Sequence, residues 1–251
     1  LTYASNKHDI VTAVFIFNSS IFDHKREAQK WWVSKSLENF KSDLKKLNIG
    51  LEIIKDDEIN FFSKIKSNSK ISVYWNKVYE PTELEKDKKI GTNFSKRNID
   101  FKFFKGNVLN EYNKITKNDG TPFKVYSPFW RNAEQFYLER LPDKISKVKK
   151  CKKINTLFKN QIKSEDILPR SDWYKKFEKY WVPSEQKAHE NLDNFVNKSI
   201  LNYGVDRDFP SIKGTSLLSP YIRNGQINVG DIWEKCKKLK SNNVSVKKYT
   251  N

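Results

Sequence analysis

The chain has 251 residues, 37% of them hydrophobic and 14% aromatic, which excludes a disordered protein and leaves enough apolar surface for a core. The sequence shows no apolar run of about 18 residues for a membrane span, no signal-peptide pattern and only two Cys, so we expect a cytoplasmic protein without a disulfide framework. The formal net charge is +18, and 41 of the 48 basic residues are Lys, which fits a nucleic-acid-binding surface and the codon bias of an AT-rich genome equally well.

The first hundred residues alternate predicted strands with predicted helices. Apolar runs rich in β-branched and aromatic residues predict buried strands at 11–18, 51–55, 71–76 and 99–104. Apolar residues spaced by three and four predict a helix that starts near Arg26 and stops at Gly50. Its apolar face consists of Val33, Leu37, Phe40, Leu44 and Leu47. Further helices are predicted at 57–66 and from Pro81, and the alternation predicts an α/β fold with a doubly wound parallel sheet.

The composition changes near residue 142. Residues 123–141 predict a short extended piece followed by a helix, which ends a first domain at 1–141. The Lys-rich stretch at 142–180 contains few large apolar residues and predicts a surface connector. Residues 181–251 show helical periodicity alone, with one face formed by Ala188, Leu192 and Phe195, and predict an all-helical domain.

The sequence contains little evidence for a catalytic site or a metal site of its own. The three His residues, His8, His24 and His189, are scattered, and no Cys/His spacing resembles a zinc site. Neither a P-loop nor a G-x-G-x-x-G is present. Cys151 and Cys236 are predicted to lie in the core, and no catalytic residue is predicted in this chain.

Residues 214–220, Gly-Thr-Ser-Leu-Leu-Ser-Pro, have the residue types of an anion-binding turn. Ser219 is predicted to cap a short helix whose first turn contains Pro220. The glycine permits close backbone approach, and the hydroxyls of Thr215 and Ser216 can bind an anion beside the first amides of the helix. An ordinary capped turn explains the spacing as well, so both interpretations stay open at this point.

Several ordered sequence blocks resemble the DNA photolyase/cryptochrome family. In the second half they are WVPSE, YGVDRDFP and GTSLLSPYIRNGQIN, which resemble the family's W-x-P-G-E, Y-x-x-x-R-D-x-P and G-T-S-x-L-S-P-Y-L-x-x-G. In the first half they are FIFN, the WW…SL helix, VYWNKVYEP followed by Asp87, and KVYSPFWR, which resemble the family's antenna domain. The resemblance covers nearly the whole chain and implies an α/β antenna domain followed by the beginning of a helical FAD-binding domain.

The resemblance also implies roles for individual residues. The positions that match the family's FAD-phosphate segment are Tyr203, Thr215, Ser216, Leu217, Leu218 and Ser219. Arg207 matches an arginine that contacts the DNA backbone in photolyases, although an ion pair with Asp206 or Asp208 is the alternative. Glu83, and more remotely His24, fall where some relatives bind a folate or deazaflavin antenna, and a solvated helix carboxylate explains Glu83 equally well.

For function, the resemblance implies a monomeric photolyase that binds damaged DNA and splits pyrimidine dimers with an electron from reduced FAD. The alternatives are a cryptochrome-like photoreceptor that binds FAD without repair, and a basic nucleic-acid-binding module without flavin. Flipping a dimer out of the duplex suits this chemistry, because a damaged pair is easily opened.

The sequence departs from the family pattern in four ways. Ser184 replaces the Gly of W-x-P-G-E, and Leu217 stands where Arg is common. Nothing matches the family's first strand, and the helices that surround the flavin ring are not found. Since the chain also lacks Met, we expect a fragment with unpaired edges inside its sheet that is inactive alone and holds FAD weakly or not at all.

Overall fold

The computed structural model describes residues 1–19, 26–66, 71–111, 113–139, 147–239 and 243–250. The chain divides into two compact units, Leu1–Gly106 with Ile145–Ser184, and Asn107–Lys144 with Glu185–Asn251. This division differs from the predicted domain boundaries. The part of the chain at 107–139 groups with the later helices, and the part at 147–180 groups with the strands.

The strands of the first unit confirm the predicted parallel α/β fold. β1 (Thr12–Phe17) pairs in parallel with β2 (Gly50–Lys55), and β3 (Ser72–Asn76) pairs in parallel with β4 (Asp100–Phe104). Each lies within one residue of its predicted run, because β-branched and aromatic residues favour the pleated conformation. Among the described residues, the strands form two separate two-stranded sheets instead of one continuous sheet.

The helices of the first unit are α1 (Thr2–Lys7), α2 (Glu27–Lys46), α3 (Glu58–Ser63) and α4 (Pro81–Lys96), of which α1 was not predicted. The predicted face of α2 is largely confirmed. Val33, Leu37 and Leu44 are buried against β1 and β2, whereas Phe40 is 36% exposed. The predicted stop at Gly50 is wrong, because α2 already ends at Lys46 and Gly50 begins β2. Asn48 makes the left-handed turn instead (φ 57°), a conformation that asparagine adopts more readily than most residues.

Aromatic side chains fill the core between β3, β4 and α4. Phe94 of α4 is fully buried, and Trp75 of β3 stacks on Phe62 and Phe101 with ring centroids 5.8 Å and 6.0 Å away. The indole N–H of Trp75 donates a 2.8 Å hydrogen bond to Asp87 of α4. This bond fixes the helix to the strand, and burial raises the pKa of Asp87.

The predicted surface connector is wrong for residues 147–180, which belong to the first unit and pack against its strands, while 142–146 lie outside the described residues. Cys151 and Ile167 are buried in the core of β1 and β2. The backbone N–H of Cys151 donates to the carbonyl of Leu47 at 2.8 Å, and that of Ile162 donates to Ile53 at 2.9 Å. Two 3₁₀ helices, Ser164–Ile167 and Asp172–Lys179, follow. Backbone hydrogen bonds to β2 and to the residue that ends α2 hold this segment, and its Lys-rich composition does not predict them.

The second unit is helical, as predicted for residues 181–251. Its helices are α5 (Tyr126–Glu139), α6 (Glu185–Lys198), α7 (Tyr203–Asp206), α8 (Ser219–Arg223), α9 (Val229–Lys237) and α10 (Val244–Thr250). The predicted apolar face of α6 is buried, with Ala188, Leu192 and Phe195 at most 3% exposed. Both cysteines are buried free thiols as predicted, and burial raises the pKa of Cys236 to about 11, which makes this thiol a poor nucleophile at neutral pH.

Candidate functional site

The turn between α7 and α8 is held in place by a close contact at Gly214. A Cβ built on this buried glycine would lie 2.5 Å from the Cβ of Asp206 and 2.7 Å from its backbone carbon. The sequence predicted a glycine needed for close approach, and the structure shows that the approach is to the end of α7 within the protein. The contact fixes where the following residues project.

Backbone amides and hydroxyls free to bind an anion follow Gly214. Among the described residues, no hydrogen bond is made by the backbone N–H groups of Thr215, Ser216, Leu217 and Leu218. In the same part of the chain, the hydroxyls of Thr215 and Ser219 also have no hydrogen-bond partner, and both residues are exposed. Unpaired amides in consecutive residues cost free energy unless water or a ligand binds them. We call these groups of residues 215–219 the cradle.

The backbone of the cradle is left-handed at Leu217 and right-handed at Leu218. Leu217 has φ 53°, is 54% exposed and is followed by Leu218 in the right-handed region (φ −88°, ψ −15°). Consecutive residues of opposite hand direct their N–H groups to one side, which forms an anion-binding concavity. Leu218 anchors the turn, since its side chain is 1% exposed. A left-handed backbone costs a leucine about 1–2 kcal/mol, and packing of this exposed side chain offsets little of that cost.

The predicted helix cap at Ser219 is wrong by one residue. α8 begins at Ser219, and its N-cap position is occupied by Leu218, which supplies no side-chain cap. Pro220 lies in the first turn as predicted. Because α8 has only five residues, its dipole would add little to the binding of an anion. Anion binding at the cradle would therefore depend on the amides and hydroxyls of residues 215–219.

Tyr203 lies in an aromatic cluster beside the cradle. Its ring contacts Phe195 of α6 and Tyr249 of α10 at centroid distances of 5.8 Å and 5.0 Å. The side chain of Ser216 interacts with the hydroxyl of Tyr249, so α10 lies next to the cradle. Tyr249 was missed in the sequence, where nothing distinguishes it from the other tyrosines until α10 is packed onto α7.

Burial of Tyr249 gives a measurable pH dependence. Desolvation raises the pKa of Tyr249 from 10 to about 12, so its neutral form stabilises the fold below pH 10 and that contribution is lost between pH 10 and 12. We expect the free energy of unfolding to fall by about 1 kcal/mol more between pH 9 and 11 in the parent chain than in Tyr249→Phe, measured by urea unfolding. Tyr180→Phe, at a tyrosine that is 79% exposed, is the control. If the free energy of unfolding fell equally with pH in the parent chain and in Tyr249→Phe, the pKa of Tyr249 would not be raised by burial.

Arg207 follows α7 at the surface. Its Nε lies 3.4 Å from Asp208, and its guanidinium lies over the ring of Tyr203 at 5.5 Å. A hydrogen bond with Tyr203, with the charge of Asp208 adding to it, raises the pKa of Arg207. The structure therefore shows the ion pair with Asp208 that the sequence left open, and leaves the guanidinium partly exposed.

Of the two predicted antenna residues, Glu83 alone lies in the described part of the chain. Glu83 lies in the first turn of α4 and contacts the ammonium of Lys86 at 3.0 Å, while Lys86 also pairs with Glu58 at 3.2 Å. This network resembles the solvated helix carboxylate that the sequence offered as the alternative. His24 lies outside the described residues. The described ranges contain no group of three or more His, Cys, Asp or Glu suited to a metal ion, and none of their helices could span a membrane.

Comparison with known proteins connects both units to one family. The family model for DNA photolyase matches residues 1–147. The chain is similar to a deoxyribodipyrimidine photo-lyase of Agrobacterium fabrum, with 30% identity over 214 residues that cover 84% of this chain and 44% of that protein. It is also similar to cryptochrome-2 of Arabidopsis thaliana, with 24% identity over 85% of this chain and 36% of that protein.

A solved structure extends the similarity to both units. A bacterial class III photolyase from Agrobacterium tumefaciens matches with a TM-score of 0.86 and 29% identity, over 98% of this chain and 52% of that one. The chain thus spans about half or less of the length of the proteins it matches.

Proposed function

The chain belongs to the DNA photolyase family, and from this premise we propose that it forms part of a flavin enzyme that uses light to split pyrimidine dimers in DNA. The observation that carries the proposal is the cradle, whose amides and hydroxyls lack partners among the described residues at the positions where the family resemblance places the FAD phosphates. The sequence similarity to a deoxyribodipyrimidine photo-lyase of Agrobacterium fabrum supports the repair activity.

The residues of the cradle fit a pyrophosphate. Consecutive backbone N–H groups and a threonine hydroxyl bind phosphate oxygens without a positive side chain, as at other phosphate-binding turns. This matters here because Leu217 provides no cation. Tyr203 would pack beside the bound cofactor, and Tyr249 would hold Ser216 in place through the interaction described above. When bound and reduced, FAD would supply the light-driven electron for dimer splitting.

Arg207 is proposed to bind the DNA backbone. Its guanidinium would exchange the carboxylate of Asp208, 3.4 Å away, for a phosphate oxygen, while the ring of Tyr203 keeps it oriented. The net charge of +18 favours the approach of DNA and makes binding depend on salt concentration. A folate or deazaflavin antenna near Glu83 is proposed on the resemblance alone, and it would have to displace Lys86.

The proposal is tested by removing the free hydroxyls of the cradle. In the complete natural protein, we expect Thr215→Val combined with Ser219→Ala to weaken FAD binding about tenfold or more, since each neutral hydrogen bond contributes roughly 0.5–1.5 kcal/mol. Retained flavin absorbance and the dissociation constant for FAD are the measurements. Thr92→Val, at an exposed threonine of α4, is the matched control and should leave both unchanged. Unchanged affinity in the double variant would place the flavin elsewhere.

The similarity to a plant cryptochrome favours a second candidate, a photoreceptor that binds FAD without repair. Both candidates predict flavin in the complete natural protein, so repair separates them. Blue-light-dependent loss of thymine dimers from an irradiated oligonucleotide supports the photolyase. Photoreduction of the flavin with no loss of dimers supports the photoreceptor.

A further inference from the structure

The side chain of Asn107, the first residue of the second unit, binds three backbone groups of that unit. Its amide nitrogen donates hydrogen bonds to the carbonyls of Ile222 at 2.6 Å and Ile227 at 3.3 Å. Its amide oxygen accepts the backbone N–H of Val229 at 3.1 Å. These contacts use both ends of the amide, so they fix its orientation.

The three backbone groups lie where α8 ends and α9 begins. Ile222 belongs to the last turn of α8, and Val229 is the first residue of α9. Carbonyls at the end of a helix and N–H groups at its start have no partner within the helix. Asn107 therefore binds the end of α8 and the start of α9 at once. Because a five-residue helix is not stable by itself, the position of α8 depends on such contacts and on the buried side chains of Leu218 and Tyr221.

The contact between Asn107 and α8 leads directly to the cradle. The N–H of Ile222 donates to the carbonyl of Leu218 at 2.9 Å, and α8 begins at Ser219. Leu218 and Ser219 are the last two residues of the cradle, so a shift of Ile222 would move an amide and a hydroxyl of the cradle with it. Hydrogen bonds weaken steeply when their distance or angle changes, so such a shift would weaken the binding of an anion.

We propose that Asn107 is a positioning residue for the cofactor, because it holds α8 where the cradle can bind the FAD phosphates. This role rests on the function proposed above, and it adds a residue that precedes Ile222 by 115 positions in the sequence. The position requires a donor and an acceptor at the end of a short side chain, which Asn provides. Asp has nearly the same size but offers only acceptors when it is ionised.

The test compares Asn107→Asp with the parent in the complete natural protein. The variant keeps an oxygen that accepts from Val229, but it directs a second carboxylate oxygen at the carbonyls of Ile222 and Ile227. At pH 8 we expect the dissociation constant for FAD to be about tenfold higher than in the parent, since two carbonyls lose their donor and face a negative charge.

The pH dependence of Asn107→Asp separates a lost donor from a general loss of packing. The carbonyl oxygens raise the pKa of the new carboxyl, and its protonated form again donates a hydrogen bond. The ratio of the variant's dissociation constant to the parent's should therefore fall to about threefold or less at pH 5. Urea unfolding at the titration temperature ensures that only folded protein is compared.

Asn224→Asp is the matched control. Asn224 also lies at the end of α8, but it is exposed and its amide donates within the same helix, to the carbonyl of Pro220 at 2.7 Å. The same substitution there leaves the contacts of Asn107 intact, so it should change FAD affinity less than about twofold at either pH.

Hydrogen exchange tests the contact without any cofactor. In the 251-residue chain, Asn107→Asp should speed exchange of the amides of Ile222 and Val229 about fivefold or more and leave those of α6 unchanged. If Asn107→Asp does not fold, Asn107→Ala takes its place in both experiments. It should weaken FAD binding about threefold at both pH values, because it adds no charge and the carbonyl of Ile222 keeps the N–H of Gly225 at 3.1 Å.

Three results would overturn the role of Asn107 alone. They are equal FAD affinity in Asn107→Asp and Asn224→Asp, a loss of affinity in Asn107→Asp that is the same at pH 5 and pH 8, and unchanged exchange at Ile222 and Val229. If the complete protein bound no FAD at all, the proposed function would fail and this role with it, so the two failures are distinguishable.

Discussion

Replacing Gly214 with alanine is expected to destabilise the second unit by about 1–3 kcal/mol and to abolish measurable FAD binding in the complete natural protein. The new methyl group would lie 2.5 Å from the Cβ of Asp206 and 2.7 Å from its backbone carbon, so backbone must move. The residues that move are those of the turn that positions the cradle. Urea unfolding and FAD titration measure the two effects.

Gly120→Ala is the matched control for Gly214→Ala. Both glycines belong to the second unit, but no atom lies within 4 Å of a Cβ at Gly120, whose φ is +78°. Alanine there suffers only from its left-handed backbone, at a cost of about 1 kcal/mol, and should leave FAD affinity unchanged. If Gly214→Ala bound FAD as well as Gly120→Ala does, the close contact with Asp206 would have no part in shaping the site.

The strands and the larger helices could be predicted because local patterns determine them. The four apolar runs became β1 to β4, and the periodicity of α2 and α6 correctly identified Val33, Leu37 and Leu192 as buried. The division into units could not be predicted in the same way. It depends on backbone hydrogen bonds between distant segments, such as that from Ile162 to Ile53, and these leave no trace in composition.

The candidate site was predictable in its residue types and not in its geometry. Hydroxyl-bearing residues after a glycine indicated an anion-binding turn, and the structure leaves Thr215 and Ser219 without partners in its described part. It also places Ser216 where it interacts with the hydroxyl of Tyr249, and it gives Leu217 a left-handed backbone with φ 53°. The contact of Ser216 with Tyr249 depends on how α10 packs, which the local sequence pattern does not encode.

Replacing Glu52 with alanine is expected to cost about 2–3 kcal/mol and to release the segment around residues 157–158 from β2. Glu52 is 3% exposed, and its carboxylate accepts the backbone N–H groups of Leu157 at 2.6 Å and Phe158 at 2.9 Å. Hydrogen bonds to a charged acceptor contribute more than neutral ones, and alanine would leave both donors unpaired. Faster hydrogen exchange at Leu157 and Phe158, together with urea unfolding, measures the loss.

Two further variants separate the hydrogen bonds of Glu52 from its charge. Glu52→Gln keeps one acceptor oxygen but places an amide N–H₂ against the second donor, so it should lie between the parent chain and Glu52→Ala in stability. Glu38→Ala removes a carboxylate that is 58% exposed and 3.5 Å from Lys35, and should change stability by less than about 0.5 kcal/mol. If Glu52→Ala were as stable as Glu38→Ala, backbone pairing elsewhere, such as that of Ile162 with Ile53, would be what holds the segment to the sheet.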